Sequence, residues 1–200
     1  TNPYCMDRKY WETIAPKYET EIFDVLRNDT SGSIVAAIEE MASPDKTVMD
    51  IGCAVGKWIP VLAPKFKHVI AADISAKNLQ IAKEKYPEYE NVEYVRMDMS
   101  ANDLTVTPCD AAICINAILT GSLEKRINFF QSLSLCLHAG GELVLVVPSL
   151  ESKLYTNIIA DRWNVDDADN DKSPAGRDAI KKVHNIRQGV TDIDNVPTKH

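Results

Sequence analysis

A doubly wound α/β fold, with a mostly parallel sheet and helices on both faces, is the architecture this chain predicts. Two observations carry the prediction. Five short runs rich in Val, Ile or Ala recur between residues 47 and 148, with too little polar alternation for one-sided sheets, as expected of strands covered on both faces. Between them lie stretches with helical periodicity and recognisable start and stop residues, and strand–helix alternation of this kind winds right-handed. At 200 residues the chain is long enough for one good core.

Two N-terminal helices are expected, about 5–27 and 33–42, separated by NDTSG. The first strand is TVMDI (47–51), closed by Gly52, and the second is HVIAADI (68–74). Ser75 then provides an N-cap for a helix over 75–86 that stops before Pro87, because proline cannot continue a helix. VEYVRM (92–97) and DAAICI (110–115) are the third and fourth strands. A helix over 122–138 opens at Ser122, carries Leu123, Ile127, Phe130, Leu133 and Leu137, and ends at the Gly140–Gly141 pair. That end would place His138 as a cation on the helix C-terminus. ELVLVVP (142–148) is the fifth strand, stopped by Pro148. Residues 150–163 read as helical, 166–176 as an acidic solvated loop, and the tail GVTDIDNVPTKH carries no terminal strand pair.

Composition excludes several classes. Hydrophobic residues make up 45% and charged residues 26% of the chain, the balance of an ordinary globular protein. No run approaches the roughly 18 apolar residues of a membrane span, and the polar start TNPYCMDRKYW lacks the apolar core of a signal peptide. A formal charge of −7 repels phosphate backbones, so nucleic acid is not an expected partner; small neutral or cationic molecules fit better. The five cysteines form no C-x-x-C pair and read as reduced thiols in a cytoplasmic protein. No metal site is expected: acids at 167, 169 and 171 fall on a calcium-loop spacing, but Lys172 stands where that loop needs glycine. Phosphate-binding loops of the Walker type are absent, and the glycine spacing departs from the nicotinamide-dinucleotide pattern.

The sharpest motif is V-M-D-I-G-C-A-V-G-K-W, residues 48–58. A strand ends in Asp50; Gly52 permits a tight turn and leaves room for a ligand. Gly56 would begin a helix whose free N–H groups attract negative charge. Asp73 closes the second strand, where a carboxylate can accept hydrogen bonds from a ribose diol. Asp98 follows the third strand, placed to meet an adenine amine. Three acids at three successive strand ends converge on one site.

These residues resemble the class I S-adenosylmethionine-dependent methyltransferase family, over about residues 8–150. The resemblance implies a Rossmann-like methyltransferase sheet and S-adenosylmethionine (SAM) as methyl donor, with S-adenosylhomocysteine (SAH) as product. It implies that Asp50, Gly52, Cys53, Ala54 and Gly56 form the loop that holds the methionine. Asp73 would take the ribose hydroxyls, Ile74 would pack on the adenine, and Asp98 with Met99 would flank it. Asn116, in C-I-N-A-I (114–118), would lie near the sulfonium. The segment Y-W-E-T-I-A-P-K-Y (10–18) resembles the helix that lids the cofactor in many small-molecule members, with Tyr10 or Tyr18 reaching its carboxylate. The domain reading is then 1–45 lid helices, 46–149 SAM-binding core and 150–200 an incomplete C-terminal segment.

Two departures stand out. Ala54 occupies the usual middle glycine of the loop. The family's sheet normally ends in a sixth and an antiparallel seventh strand, and nothing after Asp171 supplies both, so a fragment is expected, the alternative being a shortened sheet with an uncovered edge. Plainer roles stay open: Asp50 could cap the turn, Asp73 could cap the next helix, Asp98 could be a loop acid, and Asn116 an ordinary turn residue. Tyr10, Trp11 and Tyr18 could form the apolar stripe of a surface helix. No histidine or other residue declares itself a general base, so no catalytic residue is nominated. The functional expectation is methyl transfer to a small molecule of unknown identity. The alternative is a non-catalytic methyltransferase-like binding or partner subunit. Oligomeric state is not readable.

Overall fold

The computed structural model describes residues 7–120 and 122–149 and two short strands near the C-terminus. The chain divides into two units, Cys5–Val147 and a second made of Thr1–Tyr4 with Pro148–His200. In the first, the order is α1 (Arg8–Ile14), a 3-10 turn (Ala15–Lys17), α2 (Tyr18–Glu21), α3 (Val25–Asn28), α4 (Ser33–Met41), β1 (Thr47–Ile51), α5 (Ile59–Leu62), β2 (His68–Asp73), α6 (Ala76–Lys85), β3 (Val92–Arg96), β4 (Cys109–Ile115), α7 (Leu123–Leu135) and β5 (Leu137–Val146). The sheet order is β3-β2-β1-β4-β5, and every adjacent pair is parallel. Parallel neighbours need crossover connections, which bring all strand C-termini to one edge. The order reverses beside β1, and that switch point is where such sheets leave a crevice.

The strand runs lack alternation because both faces are buried. Val48, Val69, Ala71, Ala111 and Ile113 pack on one side against Ile38, Ile59 and Leu62. Met49, Ile51, Ala72, Ala112 and Cys114 pack on the other against Phe129 and Leu133 of α7. Full burial of one such aliphatic side chain stabilises by about 1.5–3 kcal/mol. Asp50, next but one to Val48, therefore projects into the α5–α6 side, and Asp73 follows Ala71 onto that same side.

Caps are local. Ser75 Oγ accepts from Asn78 N at 3.2 Å and Ser122 Oγ from Lys125 N at 3.3 Å, as their positions predict. Gly32, at φ +67°, precedes α4 without a side-chain cap. Instead the Asp29 carboxylate accepts from Ser33 N and Ile34 N at 3.1 and 2.9 Å.

Four expectations need correction. The helix expected over 5–27 is broken into three short pieces; Pro16 lacks the N–H for a fourth-residue bond and tightens the chain into a 3-10 turn. The helix expected to reach 138 ends at Leu135, and Gly140–Gly141 lie inside β5 instead. There Gly140 takes φ +82°, and the ladder slips, Cys109 facing Leu137 but Ala111 facing Glu142: a bulge, where glycine relieves the left-handed backbone. His138 is accordingly an exposed strand residue, not a helix-end cation. The tail does contain a strand pair, β6 (Asp192–Ile193) antiparallel to β7 (Val196–Pro197), in a separate two-stranded sheet. The helix and loop expected over 150–176 lie outside the described residues. Among those described, no helix is long and apolar enough to cross a membrane.

Candidate functional site

The glycine turn folds back on β2. Gly52 N and Cys53 N both donate to the Ala72 carbonyl, at 2.8 and 3.0 Å. Gly52, Ala54 and Gly56 all have positive φ, +73°, +47° and +79°, so the turn is left-handed at three points. A Cβ on Gly52 would lie 2.4 Å from the Ala117 Cβ; the glycine makes room for the loop after β4, and not only for a ligand. A Cβ on Gly56 would lie 2.7 Å from Ile59 Cδ1 and 3.0 Å from Ala82 Cβ, so that glycine lets the turn pack on α6. The next helix, α5, starts only at Ile59 and is four residues long, so Gly56 opens no helix N-terminus.

Asp73 ties the turn to α6. Its Oδ2 accepts from Ala54 N at 2.9 Å, while Oδ1 accepts from Ser75 N at 2.8 Å and Asn78 Nδ2 at 3.3 Å. Burial pushes its carboxyl above the usual range, against the opposing pull of these three bonds. A carboxylate offers about four acceptor sites, so three are engaged internally and room remains on Oδ2. Asp50 is 2% exposed and its Oδ2 has no hydrogen-bond partner. Burial first, and then the charge of Asp73, push its carboxyl up to about 8. Asp98 keeps Oδ1 on Ser100 N and Ser100 Oγ, at 2.9 and 2.6 Å, which leaves its other oxygen for a donor.

A cavity of about 280 Å³ opens above these strand ends. Of the twelve residues predicted from sequence, Tyr18, Gly52, Ala54, Asp73, Ile74, Asp98, Met99 and Asn116 lie on its wall. Four do not. Asp50 is sealed beneath the turn, Cys53 is buried in the core, Gly56 packs on α6, and Tyr10 stands edge-on to Trp11 with ring centroids 5.0 Å apart. Asn116 holds φ +53° while its N–H donates to the Val146 carbonyl at 2.9 Å. The phenol of Tyr18 is held well above its ordinary pKa by burial and then by Asp73 and Asp50, so it stays protonated and can donate.

Sequence reasoning missed Asn78, Arg8, Lys125 and Phe129, which also line the cavity. Asn78 is fully buried with Oδ1 unpartnered; a polar residue on the stripe of Leu79 and Ala82 is the signal that could have found it. The N-terminal arm is fastened over the cavity at three places. Glu12 accepts from Ala76 N and Lys77 N at the start of α6, Glu19 pairs with Lys85, and Asp24 pairs with Lys57 at 2.6 Å. Among the described residues, no cluster of His, Cys, Asp or Glu could hold a metal.

The site suits SAM on its own observations. The orphaned Asn78 Oδ1 in the wall is an acceptor awaiting a donor such as a ribose hydroxyl, as a buried unpartnered polar atom requires.

A family described as "Methyltransferase domain" matches residues 48–141. Similar solved folds include the DhpI–SAM–HEP complex, 18% identical, covering 79% of this chain and 73% of that one with a TM-score of 0.61. The N-methyltransferase NodS from Bradyrhizobium japonicum is 15% identical, covering 64% and 72%, with a TM-score of 0.56. A TehB-like SAM-dependent methyltransferase from Corynebacterium glutamicum is 20% identical, covering 70% and 73%, with a TM-score of 0.52. No curated protein matches the chain by sequence. The matched segment spans the glycine turn and the first four strands, and over it the chain resembles the class I SAM-dependent methyltransferases, whose Rossmann-like fold it shares.

Proposed function

We propose that this chain binds SAM in the cavity over Asp73, Asn78 and Asp98 and transfers its methyl group to a small molecule. The observation that carries the reading is the convergence of β1, β2 and β3 ends on one cavity walled by Gly52, Asp73, Ile74 and Asp98. In this reading Asp73 Oδ2 and Asn78 Oδ1 take ribose hydroxyls, Ile74 and Met99 sandwich the adenine, and Asp98 receives its amine. Tyr18 and Asn116 stand nearest the methionine end, and Trp11 with Tyr18 excludes water from above. The lid role of the N-terminal arm, and a cytoplasmic setting supported by the buried free thiols Cys53, Cys109, Cys114 and Cys136, belong to the same proposal.

When bound, SAM supplies a methyl carbon already activated by its sulfonium. The chain's work is then orientation and exclusion of water. Calorimetry with SAM and SAH on the folded chain tests the proposal; micromolar binding of both is expected, and no binding by folded protein would reject it. The small-molecule acceptor draws support from the NodS and DhpI likenesses in fold and from the acidic surface.

A further inference from the structure

A second cavity, of about 230 Å³, lies against the first. The two share Trp11, Tyr18, Gly52, Ala54 and Asn116 on their walls. They share Ile115 and Leu119 as well, and the rest of the second is built mainly from Ile22, Phe23, Val25 and Leu26 of the N-terminal arm, with Cys53 and Trp58 at the glycine turn. Asp24 and Lys57 are its charged lining residues, and they neutralise each other at 2.6 Å. Asp24 is further engaged by Arg27 N at 3.0 Å as the cap of α3. Arg8 and Lys125, which pair with no acid among the described residues, line the first cavity and not this one. Lys125 stands one turn before Asn128, whose amide reaches the Ser100 carbonyl at 3.3 Å, so it belongs to the Asp98 side.

We propose that this second cavity is the acceptor pocket, and that it takes a neutral, largely apolar molecule of one or two rings whose single nucleophilic atom faces Tyr18 and Asn116. The inference rests on the cofactor reading above. Its chemistry follows from the walls. A charged acceptor would give up its hydration for aliphatic and indole surfaces that offer no free counter-charge, whereas an apolar one gains by leaving water. Aromatic walls from Trp11 and Trp58 favour a flat ring. The polar groups sit on the shared wall, so the molecule's polar end is turned toward the cofactor. In the transfer the acceptor's lone pair forms the new bond to the methyl carbon, the carbon–sulfur electron pair returns to sulfur to give neutral SAH, and the acceptor's proton leaves to water.

Because Trp11 and Trp58 line the cavity, its filling is read by tryptophan fluorescence. The probe pair is 1-aminonaphthalene, which has two rings and is neutral at pH 7, and the same skeleton carrying a sulfonate, 8-aminonaphthalene-1-sulfonate. On the SAH-loaded full chain, the neutral probe is expected to quench tryptophan and bind at least tenfold more tightly than the sulfonate. Leu26→Trp, which fills the cavity, should weaken the neutral probe at least tenfold and leave SAH affinity by calorimetry within twofold. Equal or tighter sulfonate binding overturns the inference, a result that needs no variant. So does probe binding unmoved by Leu26→Trp, or displacement of the probe by SAH, which would make the cavity part of the cofactor site. SAH binding without neutral-probe binding sinks this inference alone; absence of SAH binding sinks the cofactor reading beneath it.

Discussion

Asp50 offers a test in which stability and pH should cross. Its carboxyl sits 2% exposed with one oxygen unpartnered, held at about 8 in the folded chain against 3.8 when unperturbed. The folded pKa is the higher one, so its contribution is whole below the unfolded value and is lost as pH rises toward the folded value. Each unit of that window removes about 1.4 kcal/mol, so by pH 7 the loss is about 4 kcal/mol and above 8 it grows no further. Asp50→Asn keeps the shape and abolishes the titration, but it leaves an unpartnered amide that costs about 1–3 kcal/mol. The variant should therefore be less stable than the parent near pH 4, equal to it near pH 5–6, and more stable by about 1–3 kcal/mol at pH 7. Urea unfolding of the ligand-free chain at pH 4.5, 5.5, 6.5 and 7.5 reads this directly. Parallel stability curves for the two proteins across that range would refute the buried, proton-holding carboxyl. Above about pH 8, where the parent carboxyl is ionised, SAM affinity should be lower in the same variant, and near pH 6 the two proteins should bind alike.

Asp73→Ala should weaken SAH binding by about 1.5–3 kcal/mol in calorimetry, and should also lower the urea midpoint, since three internal donors lose their acceptor; lost stability with intact affinity would make it scaffold alone. Ala54→Gly relieves a left-handed alanine at φ +47° and should stabilise the chain by about 1 kcal/mol, an outcome contradicted by an unmoved midpoint. Glu12→Ala removes the acceptor for Ala76 N and Lys77 N at the start of α6, leaving the Ser75 cap, and should cost about 1 kcal/mol. In that variant, hydrogen exchange over residues 8–20 should rise and SAH should dissociate faster; unchanged exchange there would mean that Glu12 does not hold the arm.

The strands were legible because a parallel sheet buried on both faces leaves continuous apolar runs, and Thr47–Ile51 begins and ends where the sequence places it. Ser75 was legible because a cap acts on its own neighbours. Misreadings arose where one residue type serves several geometries. Gly140 and Gly141 look like a helix end but serve a bulge, because glycine answers any demand for positive φ. Gly52 was assigned to ligand approach, yet its missing Cβ is filled by Ala117, sixty-five positions away and invisible to local pattern. Asn78 was missed because its partner, the Asp73 carboxylate, lies five residues back across a strand–helix turn. The clasp of Glu12 on Ala76 N needs the tertiary fold before it exists at all.

Two buried acids, Asp50 and Asp73, sit close together beneath the glycine turn, while Arg8 and Lys125 stand on the cavity wall. Asp50 and Asp73 leave the same face of adjacent strands; Asp73 raises the proton affinity of Asp50, and both acids raise that of Tyr18 and Cys53. The cations that secure the arm, Lys57 and Lys85, are already engaged by Asp24 and Glu19. A ligand carrying fixed positive charge near Asp50 is linked to its proton: binding must lower the proton affinity of Asp50 as much as deprotonation of Asp50 tightens the ligand. SAM carries one more positive charge than SAH, the sulfonium that is consumed in transfer. If Asp50 lies near enough to feel that charge, raising the pH from 6 to 9 should tighten SAM more than SAH in calorimetry, and an equal response of the two would refute the linkage.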